Sequence, residues 1–249
     1  MRIVTAVDRA VDILNLVADE PRKVGAISSH LGFPRNTTYE LIHTLVERRL
    51  LSVDADGRVK LGIRLFELGS AYSSSVDLLT AARHSGQALR DRSGETVHIA
   101  VLDGMDVIYM HKEDSPQVVR MASAIGRRLP AYATGVGKAL LAYLPAADLE
   151  TRLRSTKLLA LTDHTITDER LLRAELTRIR QQGFATDDQE SSLDVVCAAA
   201  PIFDRSNEAV AAMSISAPMS RCDAARLQSL VKMVVDACGT VSAELGGSR

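Results

Sequence analysis

Apolar residues recur at three- and four-residue steps early in the chain: Val7, Ala10, Val11, Leu14, Val17 and Ala18, then Val24, Ile27 and Leu31, then Thr38, Leu41, Ile42 and Leu45. That spacing predicts three helices, each with one buried face. Pro21 separates the first two, and Gly32-Phe33-Pro34 separates the second from the third. So short a connection makes the second and third helices cross steeply, as in a helix-turn-helix. Leu50 to Val53 and Arg58 to Leu61 then flank Asp54-Ala55-Asp56-Gly57, which predicts two short strands around a tight turn. Three helices followed by a hairpin make a winged helix-turn-helix.

Beyond the hairpin, Leu61, Leu65, Leu68, Tyr72, Val76 and Leu79 step by three and four and predict a connecting helix over 62–80. From Glu95 the period changes to two. Val97, Ile99 and Val101 alternate with Thr96, His98 and Ala100, a turn follows at Asp103 to Asp106, and Val107 to His111 runs back. A second hairpin reads as Val195 to Phe203 and Ala209 to Ala217 around Asp204-Arg205-Ser206-Asn207-Glu208. Helical stretches are expected at about 136–144, 146–153, 168–182 and 221–246. The chain thus divides into a winged helix-turn-helix at 1–61, a linker helix at 62–80 and an α+β domain with an antiparallel sheet at 81–249.

Composition narrows the function classes. With 30 basic and 31 acidic residues the net charge is −1, so the whole chain is no generic polyanion binder. The longest uncharged apolar runs, 139–147 and 195–203, are nine residues each, about half of what a bilayer crossing requires. Asp8, Arg9 and Asp12 interrupt the place where a signal peptide carries its apolar core, so a cytoplasmic protein is expected. Cys197, Cys222 and Cys238 are odd in number and include no C-x-x-C pair, which argues against a disulfide framework and a zinc site.

Charge is nevertheless distributed unevenly. Residues 22–64 hold eight basic side chains against four acidic ones, a local excess on the turn, the third helix and the wing. These are the parts of a winged helix-turn-helix that approach DNA phosphates. With Leu41, Ile42 and Leu45 turned inward, Arg35, Asn36, Thr37, Tyr39, Glu40 and His43 face outward near the start of the third helix, and Arg58 and Lys60 lie on the wing. The polar members of this set are able to reach base edges. Glu40 repels phosphates, and Thr37-Thr38-Tyr39-Glu40 fits a capping box, so its expected role is to hold a free backbone N–H at the helix start. Acceptance of a hydrogen bond from cytosine is the alternative.

The segment Tyr132-Ala133-Thr134-Gly135-Val136-Gly137-Lys138-Ala139 has the outline of a phosphate loop but lacks glycine at 132 and a hydroxyl at 139, so a P-loop is rejected. What remains is a glycine-containing turn opening a helix, whose first amides can receive an anion. Ser214 and Ser216 share one strand face, opposite to Met213 and Ile215, and Val195, Cys197 and Ala199 share a face on the preceding strand. Were these hydroxyls, the thiol and the helix start to converge, they would form a pocket for a small carboxylate. The sequence contains no G-x-S-x-G, H-E-x-x-H or G-x-G-x-x-G, and His30, His43, His84, His98, His111 and His164 form no close ligand pair. Neither an enzyme nor a metal or cofactor site is expected; the histidines read as surface or satisfied polar residues.

Several stretches together resemble one family. They are Arg9-Ala10-Val11-Asp12-Ile13-Leu14, Leu31-Gly32-Phe33-Pro34, Leu61-Gly62-Ile63-Arg64-Leu65, Gly94-Glu95-Thr96-Val97, Leu129-Pro130, Thr134 to Ala142, Thr162 to Asp168, Ile179 to Ala185, Ala199-Ala200-Pro201-Ile202 and Ala212-Met213-Ser214-Ile215-Ser216. Over nearly its whole length the chain is similar to the IclR family of bacterial transcriptional regulators. The resemblance implies a GAF-like effector domain after the linker helix, a homodimer or dimer of dimers, and a small-molecule effector controlling a catabolic operon. It places polar effector contacts on Gly135, Val136, Asp187, Cys197, Ser214 and Ser216, and apolar lining on Val118, Met121, Leu129 and Val195. Two positions depart from the family pattern: Glu40, where many members carry arginine, and Asp194, where the loop before the cysteine has glycine. The partners so implied are a double-stranded DNA operator of imperfect palindromic sequence and an organic acid. Two other functions stay open: a DNA-binding protein whose second domain only oligomerises, and a small-molecule enzyme fused to a regulatory module.

Overall fold

The computed structural model describes residues 3–74, 77–118 and 123–247, which fall into two compact units, 1–76 and 77–249. In the first, helices α1 (Thr5–Asp19), α2 (Val24–Leu31) and α3 (Arg35–Glu47) enclose Ile13, Leu16, Val17, Ile27, Ile42 and Leu45. The hairpin β2 (Leu51–Val53) and β3 (Arg58–Leu61) closes this core with Leu51 and Val59. Asp54 organises its turn by accepting N–H bonds from Asp56 at 3.0 Å and Arg58 at 2.9 Å. A third strand, β1 (Arg22–Lys23), pairs antiparallel with β3; at two residues it is too short to show any period in sequence.

The inward face of α1 differs from the one expected. Ile13, Leu16 and Val17 are buried, whereas Val7 and Val11 are 62% and 47% exposed, because α1 carries apolar residues on two sides. The capping box at Thr37 is also not formed. Helix α3 starts at Arg35 with Pro34 at its cap, so Thr37 already lies inside the first turn and Glu40 stands exposed beyond it. Proline, with its fixed φ, begins the helix without a side-chain cap. The buried Thr38 hydroxyl donates back to the Pro34 carbonyl at 3.1 Å.

The connecting segment is two helices: α4 (Ile63–Ser74), in the first unit, and α5 (Asp77–Ser93), in the second, with residues 75 and 76 outside the described residues. Gly62 joins the wing to α4 where a Cβ would lie 2.1 Å from the Arg49 carbonyl oxygen, so no larger residue fits. Glu67 pairs with Arg64 at 2.7 Å within α4 and ties the helix to Arg49 at 3.3 Å.

The second unit is built on a six-stranded antiparallel sheet comprising β4 (Thr96–Asp103), β5 (Asp106–Glu113), β6 (Arg128–Pro130), β7 (Ala185–Asp188), β8 (Val195–Phe203) and β9 (Ala209–Pro218). Its order is β6-β5-β4-β9-β8-β7. The two expected hairpins form its four central strands, and the short β6 and β7, not expected from periodicity, are its edges. Helices α5 and α9 (Ala224–Glu244) pack on one face, where Met213 and Ile215 point; the Cys238 thiol donates to the Ala200 carbonyl there at 3.3 Å. Helices α6 (Gly135–Leu141), α7 (Ala146–Arg154) and α8 (Glu169–Gln182) form the other layer, with Val136, Leu140, Leu153, Leu172 and Ile179 in the core beneath them. Covered on both sides, β8 is buried at every residue despite its alternation.

Candidate functional site

Cross-strand register brings the polar residues of the α6 face into two rows. Asp187, Cys197, Ser216 and Thr96 stand opposite one another across β7, β8, β9 and β4; one step along, Ala185, Ala199, Ser214 and His98 do the same. Residues directly opposite in an antiparallel pair project to the same side. Tyr109 joins this side opposite Ala100, beyond a bulge in the β4–β5 ladder. The alanines leave room, and the start of α6 comes down into it. Here Gly135 faces the Cβ atoms of Ala199, Cys197 and Asp187, and a Cβ on Gly137 would lie 2.2 Å from the Ala131 carbonyl oxygen. The Thr134 hydroxyl caps α6 by accepting the Gly137 N–H at 3.1 Å. The amides of Gly135 and Val136 precede the first intrahelical bonds.

Between these elements lies a cavity of ≈ 180 Å³. Of the effector residues expected from sequence, Leu129, Gly135, Val136, Asp187, Val195, Cys197, Ser214 and Ser216 line it. Val118 does not; it is 99% exposed, and the expected contact is corrected. Met121 lies outside the described residues. His98, Tyr109, Ser123, Arg127, Thr134, Ser191 and Ser192 complete the lining. Of these His98 carried a legible signal, since it alternates with Val97 and Ile99 on a strand and its register with Ser214 places it beside a residue already singled out.

Buried hydrogen bonds organise the cavity. The Cys197 thiol donates to the Ser216 hydroxyl at 3.2 Å, Ser216 lies 3.4 Å from His98 Nδ1, and His98 Nε2 lies 2.6 Å from the Ser123 hydroxyl. An imidazole protonated at Nε2 satisfies both contacts. Burial, reinforced by the charge of Lys112, lowers the His98 pKa to about 4 and keeps the ring neutral. Its ring stacks on Tyr109 with centroids 4.5 Å apart. Burial likewise pushes the Cys197 thiol far up, so it is no nucleophile. Asp187 accepts the Glu190 N–H and the Ser191 hydroxyl, each at 2.7 Å, yet burial raises its carboxyl above the ordinary value. The hydroxyls of Ser214 and Tyr109, residues 4% and 9% exposed, line the cavity and have no hydrogen bond among the described residues.

Lys138, the residue that gives the loop its phosphate-binding outline, is spent internally. Its ammonium is buried against the Glu190 carboxylate and lies 3.7 Å from Glu175. This pairing fixes the turn after β7 to α6. Asp194, in the loop before β8, has φ +61°, a left-handed conformation that favours glycine and that aspartate tolerates better than most residues. Its side chain is exposed and takes no part in the lining, so it brings no charge into the cavity.

In the first unit, Arg35, Asn36, Tyr39, Glu40 and His43 are exposed along α3, Thr37 is half-buried, and Arg58 and Lys60 are exposed on the wing. No helix among the described residues is long and apolar enough to cross a membrane, and no cluster among them has the makings of a metal site.

Comparison with known proteins agrees with both units. Residues 6–55 match the IclR helix-turn-helix domain, and residues 70–243 match the bacterial transcriptional regulator IclR C-terminal domain. The HTH-type transcriptional regulator XynR of Escherichia coli is 32% identical over 99% of both chains. The crystal structure of Thermotoga maritima IclR superposes with a TM-score of 0.80 at 27% identity, covering 97% of this chain and 99% of that one. An IclR homologue from Microbacterium hydrocarbonoxydans, complexed with 4-hydroxybenzoate, shares the fold at 23% identity, with a TM-score of 0.85 over 96% of this chain and 98% of that one. Neither match is to an enzyme family, and together with the two-unit architecture they make this chain a member of the IclR family, a DNA-binding transcriptional regulator.

Proposed function

We propose that the protein is an effector-responsive regulator whose cavity on the α6 face of the sheet binds a small organic acid, and whose affinity for an operator changes when that acid binds. The observation that carries the reading is the pair of hydroxyl-bearing residues Ser214 and Tyr109, largely buried yet lining the cavity with no hydrogen bond from their hydroxyls among the described residues, beside Asp187 and the open amides of Gly135 and Val136. Hydroxyls that open onto a cavity without a protein partner are free to pair with a ligand's polar atoms, which favours a small polar molecule as the occupant. Linkage limits the response to the difference in the acid's affinity for the two operator-binding arrangements. An operon that breaks down the same acid is the natural target.

On the DNA side, α3 enters the major groove with Arg35, Asn36, Thr37, Tyr39, Glu40 and His43, and Arg58 and Lys60 of the wing hold phosphates or reach the minor groove. Self-association is supported by apolar residues left open in the first unit. Val7 and Val11 are exposed on α1, Val4 is exposed at its cap, and Phe66 of α4 is 72% exposed. The domain arrangement we adopt keeps residues 1–61 as the DNA-binding domain, 62–80 as linker and 81–249 as effector domain. A homodimer or dimer of dimers then reads an imperfect palindrome with half-sites about one helical turn apart.

Selection of sequences from a random double-stranded pool tests this directly. An imperfect palindrome is expected, with binding that weakens steeply as salt rises; a selected site without dyad character overturns the dimeric reading. With the capping role removed, Glu40 is assigned to accept from a cytosine amine. Glu40→Gln is therefore expected to change the preferred base at one position per half-site, a discrimination of about 1–3 kcal/mol. An unchanged selected sequence removes that assignment.

A further inference from the structure

We infer that the wing meets the operator with the outward face of its sheet rather than with its tip, and that Lys23 of β1 joins Arg58 and Lys60 there in holding the phosphate backbone. The inference rests on the DNA reading above, which leaves the wing between phosphates and the minor groove, and it adds a contact from a strand without a period in sequence. Internal pairing first sorts the cations of residues 22–64. Arg22 is paired with Glu20 at 2.7 Å, and Arg49 and Arg64 are paired with Glu67 at 3.3 and 2.7 Å. By contrast, Lys23, Arg35, Arg48, Arg58 and Lys60 are exposed and form no ion pair among the described residues.

Strand register gathers Lys23, Arg58 and Lys60 on one surface. Lys23 stands directly opposite Arg58 across β1 and β3, and Arg58 and Lys60 are two apart on β3, so all three project to the same side. Arg22 stands opposite Val59, which is fully buried, so the other side is the one that faces the helices. Like charges directly opposite each other destabilise a strand pair, and a polyanion laid over them removes that cost while releasing its own counterions. The tip of the hairpin has the other sign. Asp54-Ala55-Asp56-Gly57 contains no cation; Asp54 is used in closing the turn and Asp56 is exposed. A narrow minor groove carries an enhanced negative potential that draws in arginine and lysine. Two carboxylates at the leading end of the hairpin oppose such entry, whereas three cations on its face favour lying along the backbone.

The test is the salt dependence of binding, measured by fluorescence anisotropy of the full chain on a selected operator and on a scrambled duplex of equal length. Each phosphate contact contributes about 0.9 to the slope of log Kd against log salt concentration. Lys23→Ala, Arg58→Ala and Lys60→Ala are each expected to lower that slope by about one per protomer on both duplexes and to leave the selected sequence unchanged. Lys23→Arg, which keeps the charge, is expected to retain the wild-type slope. Operators whose pairs flanking the bases read by α3 are G·C or I·C differ there by an amino group in the minor groove, and are expected to bind within about twofold of each other. A slope unchanged by Lys23→Ala but lowered by the other two substitutions removes Lys23 and leaves the wing reading standing. Slopes unchanged by all three overturn the wing reading itself. Binding weakened about tenfold or more by the flanking amino group places the tip in the minor groove and overturns the face-on arrangement.

Discussion

The two faces of the six-stranded sheet are made by the same strands and differ in what their alternate residues leave behind. On the α5/α9 face, Val97, Ile99, Met213 and Ile215 are 1% exposed or less and fill the space beneath the helices. On the α6 face, one residue along each strand, the corresponding positions are Thr96, His98, Ser214 and Ser216, with alanines at 199 and 212. Both faces are buried, so burial alone does not distinguish them. What differs is volume and polarity: large apolar side chains make a stabilising layer, and small or hydroxylated ones make a cavity with groups that want partners. One strand pair thus serves as core on one side and as recognition surface on the other.

Substitutions on the two faces break this comparison in different ways. The largest effect belongs to the apolar face. Ile99→Ala is expected to cost about 3 kcal/mol in urea unfolding, as truncation of a fully buried branched side chain does, while leaving an acid's affinity for the folded protein within a few fold. A loss of acid binding with little loss of stability would mean the faces are not independent.

His98 offers a second, smaller contrast, through pH. Its pKa falls from 6.5 in the unfolded chain to about 4 in the fold. Between these values the unfolded state binds more protons, so the neutral ring's contribution is complete above about pH 6.5, is lost as the pH drops toward 4, and levels off below. In urea unfolding at a series of pH values, His98→Asn is expected to flatten the curve by about 1 kcal/mol per pH unit within that window. Parallel curves for the two proteins would show that His98 is not held neutral by burial. The smallest effect is at Asp194, outside the cavity. Asp194→Gly relieves its positive φ against glycine's greater chain entropy, for an expected gain of about 0.5 kcal/mol and unchanged acid binding. Altered acid affinity there would place its charge closer to the cavity than the exposed geometry does.

The sequence carried the central strands and most helices because their periods are long enough to read. The hairpins at 96–113 and 195–218 and the helix at 169–182 each run for eight residues or more. Short edges were illegible: β1, β6 and β7 have two to four residues and are held by a neighbour rather than by their own pattern. The face of α1 does not follow from spacing, because Val7 and Val11 continue an apolar series that the fold leaves in solvent. The length of α5 is not legible either, because polar and charged residues separate its apolar positions Leu78, Leu79, Ala82 and Leu89. At the site, Ser214, Ser216 and Cys197 follow from strand alternation, whereas Asp187 entered through family resemblance and Tyr109 depended on a bulge that shifts register between Ile99 and Ala100. Such a shift leaves no trace in spacing.

The most direct test of the whole account is fluorescence anisotropy of a selected operator bound by the full chain, with and without the tightest-binding acid, for the wild type and for Ser214→Ala with Ser216→Ala. In the wild type the acid is expected to change the operator Kd by about tenfold or more, a coupling of ordinary size for a regulator. In the double variant the ratio of the two Kd values is expected to fall to about one. A ratio as large in the variant as in the wild type would contradict the claim that the α6 face of the sheet is where the signal is received.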